Sequence, residues 1–283
     1  MVSAKSLASI VGNAARHFTN DDGWAMASHC ALSGLMAIFP FMIFATALAS
    51  FLGADQFAET AIHLVFDTWP ETIAEPIAAE VMNVLTVQRG DLLTISELAA
   101  AYFASNGIEA LRVALNRAYR VTERRSFIYC RLQSLGFVII ATLGFMALSL
   151  LLVALPVAAD IAGRYAPWLK EEITRADFWR YLVATSVLVF ALVAAHAFLP
   201  AGRRRLSDLW PGIVITLVAW MVAAWAFAAY LKQFSAYVTT YAGLASIMIA
   251  LVFLYIVAVI FIFGGEINAA IMRYRGLRAN KDA

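Results

Sequence analysis

Ser105, Glu109, Arg112, Asn116, Tyr119 and Glu123 follow one another at alternating steps of four and three residues. On a helix such positions share one face, which would carry hydroxyls, carboxylates, a guanidinium and an amide in one stripe. A stripe of this composition can hold internal ion pairs, with Glu109 matched to Arg112 or Arg117, or it can line a polar pathway. Ile108, Leu111, Leu115 and Ala118 occupy another face. A second polar group closes the last apolar run, FIFGGEINAA, where Glu266 and Asn268 follow a Gly-Gly pair. Glycines let helices approach closely, and Glu266 is placed to neutralise an arginine from the stretch YFASNGIEALRVALNRAY.

His29, with Ser33 one turn on, and His196 lie in apolar runs. An isolated histidine there is more often a hydrogen-bonded structural residue than a proton relay. Cys30 and Cys130 are lone thiols with neither CxxC nor metal-ligand spacing. No HExxH, GxSxG, paired-aspartate or P-loop arrangement occurs. A nucleophile, a base and a stabiliser are needed together for catalysis, so an enzyme is not expected, and neither is a cofactor or a metal.

The elements that would position these groups are membrane helices. Of 283 residues, 63% are hydrophobic and 14% charged, against about 45–50% and about 25% in a soluble domain. Five apolar runs are plain, at roughly 24–52, 135–159, 181–199, 210–231 and 243–265. Each approaches the ~20 residues that cross a bilayer core as a helix. Pro40 and Pro156 should kink or end their runs. Residues 92–111 form a weaker sixth candidate, carrying Glu97 and Glu109. Between the first two spans, residues 54–90 are acidic, with Arg89 as their single basic residue. Ile73, Ile77, Val81, Val84 and Leu85 recur there at helical spacing, which predicts amphipathic interfacial helices.

Lysines and arginines are retained on the cytoplasmic side. With six spans and the N-terminus inside, fifteen of the 21 basic residues fall there, including Arg112, Arg117, Arg120, Arg124, Arg125, Arg131 and the Arg203–Arg205 triplet. Five spans with the N-terminus outside keep nearly the same bias, so charge alone leaves both arrangements open. The arginine-poor loop 54–90 favours six. The cluster from 112 to 131 orients the chain and suits contact with anionic lipid headgroups, worth ~1 kcal/mol per basic residue near the surface. Besides the bilayer, no partner is implied: no folded nucleic-acid module accompanies the charge, and the oligomeric state is open.

ALSGLMAIFP, SNGIEALRVALNRAYRVTERRSF and FGGEINAA together resemble the YihY/BrkB-like family of bacterial inner-membrane proteins, over essentially residues 10–275. The matching positions include Ser33, Pro40, Asn106, Gly107, Ala110, Asn116, Tyr119, Glu123, Arg125, Tyr241, Gly264, Glu266 and Asn268. The chain departs at Ala242, inside a usual Tyr-Gly pair, and at Gly265, where Ala is common. The resemblance implies an all-α integral membrane protein with six transmembrane helices, in the inner membrane, with both termini cytoplasmic. Some members of that family carry a mistaken ribonuclease label; others are linked to serum resistance or envelope lipid export. The expectation is therefore a transporter-like protein handling an amphiphilic or anionic envelope substrate. Asn106, Glu109, Asn116, Arg124, Glu266 and Asn268 would line or gate its pathway. The alternative is a scaffold that holds partners through residues 54–90.

Overall fold

The computed structural model of the chain describes residues 4–51, 93–149, 151–152, 177–233 and 242–279. These form seven α-helices, with no strand among the described residues: α1 Ala4–Asn20, α2 Gly23–Phe51, α3 Leu93–Ala118, α4 Phe127–Ser149, α5 Asp177–Phe198, α6 Leu206–Gln233 and α7 Ala242–Ala279. The loop 54–90, Pro156 and Tyr241 lie outside the described residues.

Five of the helices, α2 and α4 to α7, are long and apolar enough to cross a membrane. Their outward faces carry Met36, Phe127, Ile128, Tyr181, Phe190, Met221 and Trp225, all well exposed. Apolar surface on this scale matches hydrocarbon rather than water. At 26 residues, α3 is also long enough to span, at 1.5 Å of rise per residue. Its polar stripe keeps it below the apolarity of the other five.

Helix α3 nevertheless sits at the centre. It packs most extensively on α2 and also touches α4 and α7. A Cβ added at Gly107 would lie 3.3 Å from Ala37 Cβ, so the missing side chain is what lets α2 and α3 close up. Near the same seam Cys30 Sγ donates to Ala110 O at 3.5 Å. Ala110, Ala114, Leu115 and Ala118 enter the main core with Leu199, Leu209, Ile213 and Phe261. On the outside of the bundle, α1 lays Ile10 and Ala14 against Ile267 and Ala270 of α7.

Helix α2 runs through Pro40 without ending there, which leaves a kink as the expectation for that proline. Two expectations need correcting. Helix α4 starts at Phe127, two turns before the apolar run at 135, because Arg131, Gln133 and Ser134 interrupt the hydropathy but not the helix. The stripe of α3 does not continue helically to Glu123. Arg120 has φ +55°, Arg120 N–H donates to Arg117 O, and Val121 N–H donates to Asn116 O. This is the Schellman stop, with arginine where glycine is usual.

Candidate functional site

The α1–α2 corner, the α3–α4 connector, the α5–α6 connector and the second half of α7 meet at one end of the bundle. Side chains join them in three linked groups.

The first group closes α3 on α4. Arg112 is 2% exposed. It donates to Glu109 Oε2 at 2.5 Å, to Cys130 O at 2.8 Å and to Ser134 Oγ at 2.8 Å. Ser134 Oγ donates in turn to Glu109 Oε1 at 2.9 Å. The charge is thus buried only together with its counter-charge and a set of hydrogen bonds, as a buried guanidinium requires. One turn further along α3, Arg131 donates to Ser105 Oγ and to Asn106 Oδ1, both at 2.9 Å.

The second group ties the two connectors together. Asn116 Nδ2 donates to Glu123 Oε2 at 3.1 Å, while its Oδ1 accepts the Ala201 N–H at 2.7 Å. Glu123 accepts from Arg125 Nε at 2.7 Å and from Arg125 Nη2 at 2.6 Å. Arg125 Nη2 also donates to Leu199 O at 2.7 Å, and Gln133 Nε2 donates to Phe198 O at 2.9 Å. These cover the carbonyls left open where α5 ends. The Arg125 hydrogen bond, reinforced by the Arg125 N–H and Asn116, holds the Glu123 carboxyl down at about 2, although partial burial works the other way.

The third group lies deepest. Gly212 N–H donates to Asn268 Oδ1 at 2.7 Å, which orients the amide so that Nδ2 donates to Tyr119 Oη at 3.2 Å. Burial pushes the Tyr119 phenol up to about 12, so it keeps its proton, and its Oη is in hydrogen-bond contact with His196 Nδ1 at 3.0 Å. His196 Nε2 is buried without a partner among the described residues. Arg204 lies over the Tyr119 ring at 4.1 Å. Beside this chain Glu266, 1% exposed, accepts from Arg120 Nη2 at 2.6 Å. Arg120 Nε approaches Asp21 Oδ2 to 3.1 Å, near enough for an ion pair but not aligned as a hydrogen bond. A Cβ at Gly212 would collide with Gly264 O, and one at Gly264 with Thr216 Oγ1; the glycines permit the close α6–α7 crossing that brings Asn268 to Gly212.

A family model described as virulence factor BrkB matches residues 14–283. The chain belongs to the BrkB family.

Among BrkB-like relatives, the ribonuclease-like protein YfkH of Bacillus subtilis (strain 168) is 28% identical over 267 residues, covering 92% of this chain and 94% of the relative. A UPF0761 membrane protein of Rhodospirillum centenum is 25% identical over 271 residues, covering 94% of this chain but 58% of the relative. One from Alteromonas mediterranea is 23% identical over 271 residues, with 95% and 89% covered. This chain therefore spans nearly all of some relatives and under two thirds of others. No solved structure matches it.

Of the residues singled out in this BrkB-family sequence, the structure brings Asn116, Tyr119, Glu266, Asn268 and Gly264 into one neighbourhood. Asn106 and Glu109 stand in the adjoining α3–α4 seam. Glu109 pairs with Arg112, while Arg117 reaches Asp22 at 2.5 Å. The neutralising partner of Glu266 is Arg120, just beyond the stretch expected to supply it. Arg124 is exposed, and the anchoring falls to its neighbour Arg125. Ser33 and Pro40 lie along α2, with Ser33 O 3.9 Å from the position of a Gly107 Cβ. Sequence reasoning missed Gln133, Ser134 and Gly212, and had Arg131 only as part of the basic cluster from 112 to 131. Gln133 and Ser134 were legible as polar positions within one turn ahead of the apolar run at 135. Gly212 after Pro211 had no distinguishing signal. Among the described residues, no three His, Cys, Asp or Glu side chains are grouped to hold a metal ion.

Proposed function

We propose that this is a six-span bacterial inner-membrane protein, both termini cytoplasmic, that handles an amphiphilic anionic envelope substrate and uses the polar network as its closed cytoplasmic gate. The observation that carries this reading is that paired charges inside an apolar bundle link four parts of the fold: the α1–α2 corner, two connectors and α7. Apolar packing of small residues would hold such helices at lower cost, whereas buried ionisable groups in membrane segments accompany pathways and switching elements. The length of α3 and its central place support counting it as the sixth span. The gathering of Arg117, Arg120, Arg125 and Arg204 at one end supports placing that end in the cytoplasm. The chain carries no ATP-binding motif, so the substrate's own gradient, an ion gradient or a partner supplies the drive. No catalytic role is assigned to any residue.

The test is flux in vesicles. Purified full-length protein is reconstituted, and the movement of fluorescent phosphatidylglycerol between leaflets is followed by quenching from one side. Wild-type vesicles are expected to exceed protein-free vesicles, and Asn116→Ala, which unties the two connectors, to change the rate several-fold. Flux no faster than in protein-free vesicles, or a rate indifferent to Asn116→Ala, would remove the gate reading.

A further inference from the structure

Among the described residues, Arg131 and Arg204 are the network arginines that pair with no carboxylate; Arg204 caps the α5–α6 connector through Pro200 O and Ala201 O, whereas Arg131 lies in the α3–α4 seam. Glu109 is taken by Arg112, Glu123 by Arg125, Glu266 by Arg120 and Asp22 by Arg117. Arg131 bonds only neutral acceptors, Ser105 Oγ and Asn106 Oδ1. Its guanidinium lies 3.8 Å from the centre of the Tyr102 ring. Its Nε is buried with no partner among the described residues. A guanidinium keeps its charge at any accessible pH and carries five donors, and two of the donors are used here. Neutral hydrogen bonds and a ring face offset only part of the cost of holding such a cation at membrane depth.

The surroundings say what kind of anion fits. Arg131 is one helical turn, roughly 6 Å, from the start of α4. Ile128 and Leu132 on either side of it are 70% and 63% exposed, and Tyr102 and Phe103 across the groove are 44% and 54% exposed. Asn106 is exposed too, and its amide nitrogen remains a donor once Oδ1 has accepted from Arg131. A cation and an amide donor sit at the boundary, with apolar side chains running away from them. That pattern matches an anionic phosphate carrying acyl chains and does not match a soluble anion.

We propose that Arg131, Asn106 and Tyr102 form a seat for the phosphate of an anionic glycerophospholipid from the leaflet facing the arginine-rich end. The seat shares the orientation given under Proposed function, and it makes binding measurable without flux. Wild-type flux no faster than in protein-free vesicles, with lipid still bound, would sink the gate and leave the seat. Loss of the seat with flux intact would do the reverse.

Full-length protein in a mild detergent is titrated with phosphatidylglycerol, and retained lipid is counted by native mass spectrometry. Arg131→Gln is expected to weaken retention about tenfold. Arg131→Lys should also weaken it, because an ammonium cannot both lie flat on Tyr102 and fork to two acceptors. Arg203→Gln, an exposed arginine on the α5–α6 connector, should leave retention unchanged. Should Arg131→Gln fail to fold, Asn106→Ala on the exposed side carries the test, with a several-fold weakening expected. Three results would overturn the seat: unchanged retention in the Arg131 or Asn106 variant; equal loss in Arg203→Gln; or displacement of the lipid by glycerol phosphate at the same concentration.

Discussion

Arg120 combines a left-handed backbone with a buried ion pair, and the two can be separated by substitution. Arg120→Ala keeps the φ of +55° in a residue with a Cβ, costing about 1 kcal/mol relative to glycine. It also strips the partner from Glu266, whose side chain is 2% exposed while that of Arg120 is 22% exposed. Breaking a buried pair from one side costs about 3–5 kcal/mol. The partial exposure of Arg120 puts this case at the lower figure, about 3 kcal/mol. Asp21, 29% exposed, can be rehydrated and adds little. Arg120→Ala should therefore lose about 3 kcal/mol, and Arg120→Gly about 2, because glycine relaxes the backbone. Adding Glu266→Gln to Arg120→Gly removes the orphaned carboxylate and should return the protein to within about 1 kcal/mol of wild type, the worth of one lost hydrogen bond. Equilibrium unfolding in mixed micelles, followed by tryptophan fluorescence, measures all four proteins. If Glu266→Gln gives no recovery, the ion-pair account fails. If Arg120→Gly is the less stable of the two single variants, the backbone account fails.

Three further outcomes are expected. Glu123 is held at about 2 against an ordinary 4.5, so its folded form favours the carboxylate. The resulting stability is complete above pH 4.5 and disappears as pH falls toward 2. Glu123→Gln should be less stable than wild type near neutrality, with the difference shrinking through that window, as unfolding measured against pH will show. Thr216 Oγ1 is buried without a hydrogen-bond partner among the described residues and lies where a Gly264 Cβ would go. Thr216→Ala should therefore cost little in thermal stability, Gly264→Ala about 1–3 kcal/mol, and the double variant less than the Gly264→Ala single. Finally, Cys30 and Cys130 are buried, so thiols introduced at Thr60 or Glu80 can be read against a quiet background. Impermeant reagent should label them in intact cells under the six-span arrangement; labelling only after rupture would overturn it.

The membrane class, the bounds of α2, α5 and α6 to within a few residues, the start of α7 (which runs on past the expected end at 265 to Ala279), and the polar face of α3 all follow from composition and local spacing. These are properties that each segment has by itself. Family membership was equally legible, since SNGIEALRVALNRAYRVTERRSF and FGGEINAA survive as contiguous words. What tertiary structure decided is who pairs with whom. Glu109 had two candidate arginines and took Arg112, because it lies one turn away and Ser134 and Cys130 O on α4 also accept from that guanidinium, while Arg117 pairs with Asp22. Glu123 was expected on the helix and instead returns to Asn116 from a connector, because Arg120 adopts a left-handed turn that sequence statistics assign to glycine. Glu266 and Arg120 are 146 positions apart, and Gly212 and Asn268 are 56. No local pattern encodes such meetings. They form because a buried charge or N–H must find a partner, and only the assembled bundle fixes which partner is near.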